Sequence, residues 1–512
     1  MPPSRRTFLR ATGAAAALSA VPALAACGAP ADAGAPRLRV AFPGRGPLGV
    51  PDAHVVPQVI DRARAVAVAE TLTVWTAEMG VGPGLAETVE PDATGTRWRV
   101  RLAPATCHDG RPITADDVLA SLGRIVAGGT AAPFLAGIDP ARTRALSASE
   151  LEIGLTAPDF LFPLALGAPG TGIVRDGRGA APVGTGPFRV VPGTPDVLAR
   201  HDGYRGGPPP SSELEFVSQD DEEQRYQDLI AGRIAWAHDL FPHSARRIAS
   251  RVAVSLLRAP GSVNRLLDLR TDRPPFDDPR LREAVRITVN RDELVRRVLL
   301  DLVSPGDDFY GPGLREHVGG AAVLRDPERA RELVDAAGAR DTEFEVWFED
   351  PLSRPAMPLL VEQLDAIGLR ALPRDPNPPD DAKDRTDPGS GAASGVGAGA
   401  GTSLRPTTDT PAMAFRRVDS VPVPLYLAVS AAGTPATAPS PEVAALLAGA
   451  KRSADPDVRS DALRRAQVIL RGSTTVWAVG DELTGTAADL TGVTAARPDT
   501  DRWARFDRAR LG

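Results

Sequence analysis

The sequence predicts an α/β protein, and three stretches carry that expectation. Trp98–Val126 reads as strand, turn, helix; Leu214–Gly232 reads as strand then helix; Phe344–Ile367 reads as another strand and helix. In each, an alternating or short apolar run gives way to 3.6-residue periodicity. In the first, Trp98, Val100 and Leu102 alternate with Arg97, Arg99 and Arg101, the pattern of a half-buried strand. His108-Asp109-Gly110-Arg111-Pro112 supplies turn chemistry. Thr114 stands three residues before Asp117, a variant of the capping box, and Val118, Leu122, Ile125 and Val126 make one apolar stripe.

The chain start reads as an address. Ser4-Arg5-Arg6-Thr7-Phe8-Leu9-Arg10 resembles the twin-arginine export motif, followed by an Ala-rich stretch too short to span a bilayer. Leu24-Ala25-Ala26-Cys27 resembles a lipobox, in which the Cys27 thiol carries lipid. The expectation is an extracytoplasmic chain, lipid-anchored to the outer face of the cell membrane, with residues 1–27 as signal and 28–36 as tether. The formal charge is −6, and removing residues 1–26, with three Arg and no acid, leaves −9. An acidic chain argues against nucleic acid as a partner. With Cys27 lipidated, Cys107 has no intrachain partner and reads as a buried apolar residue.

Further on, Arg37–Phe42 reads as a strand. Gly44-x-Gly46-x-x-Gly49 follows it, but Pro43, Pro47 and Pro51 deny the helix that a dinucleotide site needs, so the stretch reads as a loop. Residues 52–79 contain an amphipathic helical stretch. Val183-Gly184-Thr185-Gly186-Pro187-Phe188 reads as a tight turn into a strand. Leu266–Leu269 is strand-like. Asp278-Pro279 is a helix start, with Asp capping and Pro where no N–H is needed. Asn290 with Glu293 and Asp326-Pro327 start two more helices; Gly338 closes the latter. Residues 373–411, rich in Pro, Gly, Asp and Thr, read as a disordered loop. Ser440-Pro441 and Asp455–Leu470 read as helical, and 476–506 as closing strands and a C-terminal helix.

These blocks, in this order, resemble the family 5 extracellular solute-binding proteins of ABC transporters, the peptide- and nickel-binding group. The carriers are Cys107-His108-Asp109-Gly110 with Thr114-Ala115-Asp116-Asp117-Val118, the 183–188 block, His201–Pro208, and Pro274–Val285, which is similar to "PPFDDPRVRQAL" almost letter for letter. The resemblance implies a periplasmic-binding-protein type II fold: two α/β lobes with a hinge, plus an extra domain inserted in the first lobe. It divides the chain into lobe I (37–51, 181–260, 471–512), an inserted body (52–180) and lobe II (261–470). It implies a monomeric, non-enzymatic protein without cofactor that captures a peptide or similar small polar solute and delivers it to an ABC permease and its ATPase. The alternative is a degenerate relative with a signalling or envelope role. An enzyme lacks support: there is neither G-x-S-x-G nor H-E-x-x-H.

The block that departs is Arg416–Pro424. Peptide binders of the family carry an Asp here for the peptide ammonium; alignment on the prolines puts Ser420 there and Asp419 one step off. One step on a strand turns a side chain to the other face. Candidate ligand residues are therefore Arg416, Arg417, Asp419 and Ser420, the arginines favouring an anionic solute. His238 and His243 make no metal cluster, and no catalytic or metal-binding residue is expected.

Overall fold

The computed structural model describes residues 37–175, 182–320, 323–348, 354–375, 411–435, 437–493 and 505–512. The expected signal, tether and Cys27 lie outside these residues, as do 376–410 of the expected loop. No described helix is long and apolar enough to cross a membrane.

Two long antiparallel strands, Val254–Leu269 and Thr474–Ala487, form the spine of an eleven-stranded sheet. At about 3.4 Å per residue the first would reach about 50 Å, longer than one small domain needs. Its first half, Val254–Ala259, pairs with Glu482–Ala487; its second, Val263–Asp268, pairs with Thr474–Gly480. Between them the register shifts at Pro260-Gly261-Ser262. Gly261 has φ +70°, a conformation that favours glycine. Asp481 sits across the break, its carboxylate accepting from Arg258 Nε at 2.7 Å and from the Gly261 N–H at 3.4 Å.

Each end of the spine carries parallel strands joined through helices. At one end, Leu38–Phe42 lies parallel between Glu213–Ser218 and Trp236–Ala237, with helix Glu222–Ile230 as crossover. At the other, Thr342–Phe348, helix Met357–Asp365 and Leu369–Arg374 form a second unit beside Met413–Asp419. At this second end, Leu267, Phe415 and Trp477 meet helices 279–288 and 357–365 on one sheet face, while Leu266, Val418 and Val476 meet helices 423–432, 441–452 and 456–470 on the other. Both faces are covered, as strands of this type require.

A separate four-stranded antiparallel sheet is built from residues 86–154. Arg97–Leu102 alternates exposed and buried along its length, and helix Ala115–Gly128 covers the apolar face with Val118, Leu122 and Ile125. Thr114 and Asp117 make the reciprocal cap: Asp117 Oδ2 accepts from the Thr114 N–H at 2.8 Å, and Thr114 Oγ1 from the Asp117 N–H at 3.4 Å. Asp278, Asn290, Asp326 and Ser440 each cap as read, and Gly338 closes its helix at φ +68°.

Several expectations need correction. Helix Val59–Val68 was expected in the inserted body. It instead packs Ile60, Ala63, Ala67 and Val68 into the core of Leu38, Val40, Phe42 and Phe216. Thr474–Gly480 pairs within the second end, so the crossing strand is shared between lobes. The strand read as Leu266–Leu269 is sixteen residues long. Of the closing segment, Leu490–Thr491 pairs with Arg510–Leu511, while residues 494–504, where the expected C-terminal helix falls, lie outside the described residues.

The two motif blocks of the first half clasp each other. The His108 N–H donates to Gly184 O at 2.9 Å, and ring nitrogens of His108 and His201 each lie 3.1 Å from Gly186 O. Burial pushes His108 down to about 4, so its ring is neutral at ordinary pH. The glycines are required by close approach: a Cβ on Gly184 would lie 2.1 Å from Val68 O, and one on Gly186 2.5 Å from Val68 C. Because backbone cannot swing aside as a side chain can, G184A and G186A are each expected to destabilise by about 1–3 kcal/mol, read as a lower urea midpoint at unchanged slope. Midpoints equal to wild type would refute the clasp.

Candidate ligand cleft

The break in the spine lies beside a cluster of charges drawn from both lobes. The short strand Trp236–Ala237 delivers His238 and Asp239, the latter at φ +54°. Met413–Asp419 delivers Arg417 and Asp419, the spine delivers Glu482, and helix Val59–Val68 delivers Arg62.

Arg417 is the hub. Its Nη1 contacts both oxygens of Asp239, at 2.9 and 2.7 Å, across the lobes. Its Nε lies 3.3 Å from Asp419 Oδ1, and its Nη2 3.9 Å from Glu482 Oε2. His238 Nε2 is 3.1 Å from the other Glu482 oxygen, and Arg62 Nη1 is 3.9 Å from Asp419 Oδ2. Burial opposes the charge on Asp239, yet the Arg417 guanidinium outweighs it and holds the carboxyl below the usual carboxylate range. Burial pushes Arg62 down to about 10 against the pull of Asp61 and Glu482. Three carboxylates thus face two guanidiniums and an imidazole.

Next to this cluster the second lobe grips the break. Ser420 Oγ donates to Gly261 O at 2.6 Å and accepts from Asn264 Nδ2 at 3.1 Å. Asn264 Oδ1 accepts from the Gly311 N–H at 3.0 Å. Tyr310 Oη accepts from the Val421 N–H at 2.6 Å, while its ring stacks on Tyr426 at 3.7 Å.

The four expected residues therefore part company. Arg417 and Asp419, two apart on a strand, share a face and join the cluster. Arg416 points the other way, where it is buried and paired with Asp268, whose other oxygen accepts from Thr474 Oγ1 at 2.8 Å. That pair belongs to the interior of the second lobe and leaves Arg416 no reach into the cleft. Ser420 is spent on the break. Reading by sequence missed Asp239, Glu482, Arg62 and His238, which come from distant segments and carry no local motif. His243 stands apart on helix Pro242–Ile248, exposed. Among the described residues, no group of three or more potential metal ligands converges.

Among the cavities lined by described residues are two that carry arginine in their walls. One of about 300 Å³ is lined by Arg62, Glu70, Trp75, Tyr204 and Arg205. The other, about 530 Å³, opens between the four-stranded body and the second lobe, from Thr73–Val89 and Phe160–Leu164 on one side to Arg315, Glu316, Pro424 and Arg459 on the other.

The depressed carboxyl of Asp239 contributes stability at pH above its unfolded value of about 3.9, and loses it as pH falls through the lower folded value. Asp239→Asn keeps a residue that tolerates positive φ while removing the charge. The variant is expected to melt lower than wild type at pH 7 and to lose less Tm between pH 6 and 3. Parallel curves for the two proteins would show that the interlobe pair carries no linkage.

Comparison with known proteins gives this geometry its context. A profile described as bacterial extracellular solute-binding proteins, family 5 (middle), matches residues 80–406, and a twin-arginine translocation signal profile matches residues 2–22. The chain is 24% identical over 246 residues to the glutathione-binding protein GsiB of Salmonella choleraesuis strain SC-B67, covering 45% of this chain and 48% of that one. The match thus spans about half the length of that curated relative. Among solved structures, the binding protein AgaA from A. tumefaciens R10 in complex with agropinic acid superposes with a TM-score of 0.73 at 20% identity, over 93% of this chain and 99% of that one. NikA from Brucella suis in complex with Fe(III)-EDTA gives 0.76 at 17% identity, over 93% and 100%. The fold is that of the type II periplasmic binding proteins, and the export signal together with the family indicates an extracytoplasmic protein. With the family profile matching well over half of its length, the chain belongs to the family 5 bacterial extracellular solute-binding proteins.

Proposed function

We propose that this chain is the substrate-binding component of an ABC importer. It takes up a peptide or similar small polar solute between its lobes, releases it unchanged to a membrane permease powered by an ATPase, and has no catalytic role. The observation that carries the reading is the Arg417–Asp239 contact across the break at Gly261. A charged pair spanning two lobes joined by two strands is where hinge closure and solute charge can compete. The relatives support the solute class: one is named for glutathione, and one was solved with agropinic acid. Arg417 and Asp419 present one charge of each sign to such a guest.

The test is thermal melting against di- to octapeptides including glutathione, amino acids and sugars, with small-angle scattering for closure. A binder present at a hundred times its Kd is expected to add about 2.7 kcal/mol of stability, several degrees of Tm, and to shrink the radius of gyration. A panel that moves neither quantity would overturn the proposal. It would favour the degenerate relative with a signalling or envelope role, a reading supported by one observation: each cleft carboxylate already faces one of the protein's own cations.

We further propose lipidation at Cys27, with the protein acting as a monomer tethered to the membrane's outer face. Supporting this is the Leu24-Ala25-Ala26-Cys27 sequence just after the export-signal match. Cys27→Ser is expected to release the protein from membranes and abolish labelling with radioactive palmitate. Retained labelling would rule that cysteine out as the anchor.

A further inference from the structure

We infer that the cavity between the four-stranded body and the second lobe is a subsite for a carboxylate carried on an apolar group, with Arg315 as its anion contact. The inference rests on the solute-binding reading of the cleft and names the part of the solute that lodges there. At about 530 Å³ the cavity falls in the size range of small-molecule sites. Its walls mix polar and apolar surface, the apolar part coming from Met79, Val89, Phe160 and Leu164 on one side and Pro424 on the other.

Four charged residues line the cavity, and three are committed. Glu87 lies 3.3 Å from Arg101. Glu316 Oε2 accepts from Ser460 Oγ at 2.6 Å. Arg459 donates to the carbonyls of Ser453 and Ala454 at 3.0 and 2.7 Å. The Arg315 guanidinium is exposed and has no ion-pair partner among the described residues.

The Arg315 backbone is nevertheless anchored. The Arg315 N–H donates to Glu78 O at 2.8 Å, tying the residue to the opposite wall. Glu316 holds φ +69°, a costly conformation for a residue with a side chain, and Gln467 Nε2 holds its carbonyl at 2.7 Å. Arg315 lies over Gly80, where a Cβ would come within 3.3 Å of Nε. A guanidinium carried on this anchored backbone at the cavity wall suits a carboxylate by two-point hydrogen bonding, with the adjoining apolar group against Phe160 and Leu164.

The test uses the full chain, a pool of Xaa-Phe dipeptides with every natural residue at the first position, and the same pool as C-terminal amides. The readout is the pool concentration giving a half-maximal Tm shift. Wild type is expected to need about tenfold more of the amide pool. Arg315→Gln should require the same concentration of both pools, matching wild type with amides, and Arg315→Lys should fall between. The unliganded melting temperatures check folding. Arg315→Gln retaining the wild-type preference for free acids would overturn the subsite while leaving the transport reading intact. Absence of a shift with either pool would also overturn it, and only a silent panel of all solutes would bring down the transport reading as well.

Discussion

The pairing of Val254–Leu269 with Thr474–Ala487 is the constraint on which the remaining architecture depends. Each strand contributes one half to each lobe, so the lobes share two continuous backbones and cannot fold as independent neighbours. The ladder is interrupted once, where Gly261 takes a positive φ and the Asp481 carboxylate covers the exposed N–H. Interruption at that point concentrates any bending within three residues, and the charged cluster sits beside it. The Arg417–Asp239 pair is therefore the contact most sensitive to the angle between lobes.

The residues that make the family recognisable are mostly structural. His108 and Gly184–Gly186 hold one another and the end of helix Val59–Val68; Asp278 and Pro279 start a helix. Such features are local, with a cap, a turn or a close backbone approach behind each letter, and hence legible from sequence. The alternation along Arg97–Leu102 was legible for the same reason. What was not legible is long-range. The sixteen-residue strand looked like a four-residue one because Pro260-Gly261 interrupts its pattern. For the helix Val59–Val68, amphipathicity says that a face is buried without saying against what, and the partner is the core of Leu38, Val40 and Phe42.

The cleft shows the same division more sharply. Arg417 and Asp419 were within reach because strand periodicity puts them on one face. Arg416 could not be separated from Arg417 without knowing that Asp268, nearly 150 positions earlier, pairs with it from the neighbouring strand. Asp239 and Glu482 come from segments whose local sequences suggest nothing beyond a strand end. Charge complementarity assembled in three dimensions has no signature in one.

The buried pair of Arg416 with Asp268 has a consequence for how this strand can change. On the other face of Met413–Asp419, Met413 and Phe415 are buried as well, and only Arg417 and Asp419, toward the strand's end, reach the cleft. Recognition can thus evolve by exchanging single side chains at 417 and 419. Adding or deleting one residue upstream would drive a guanidinium out of its interior socket and thrust another into it, so length variation here is barred even where side-chain variation is tolerated.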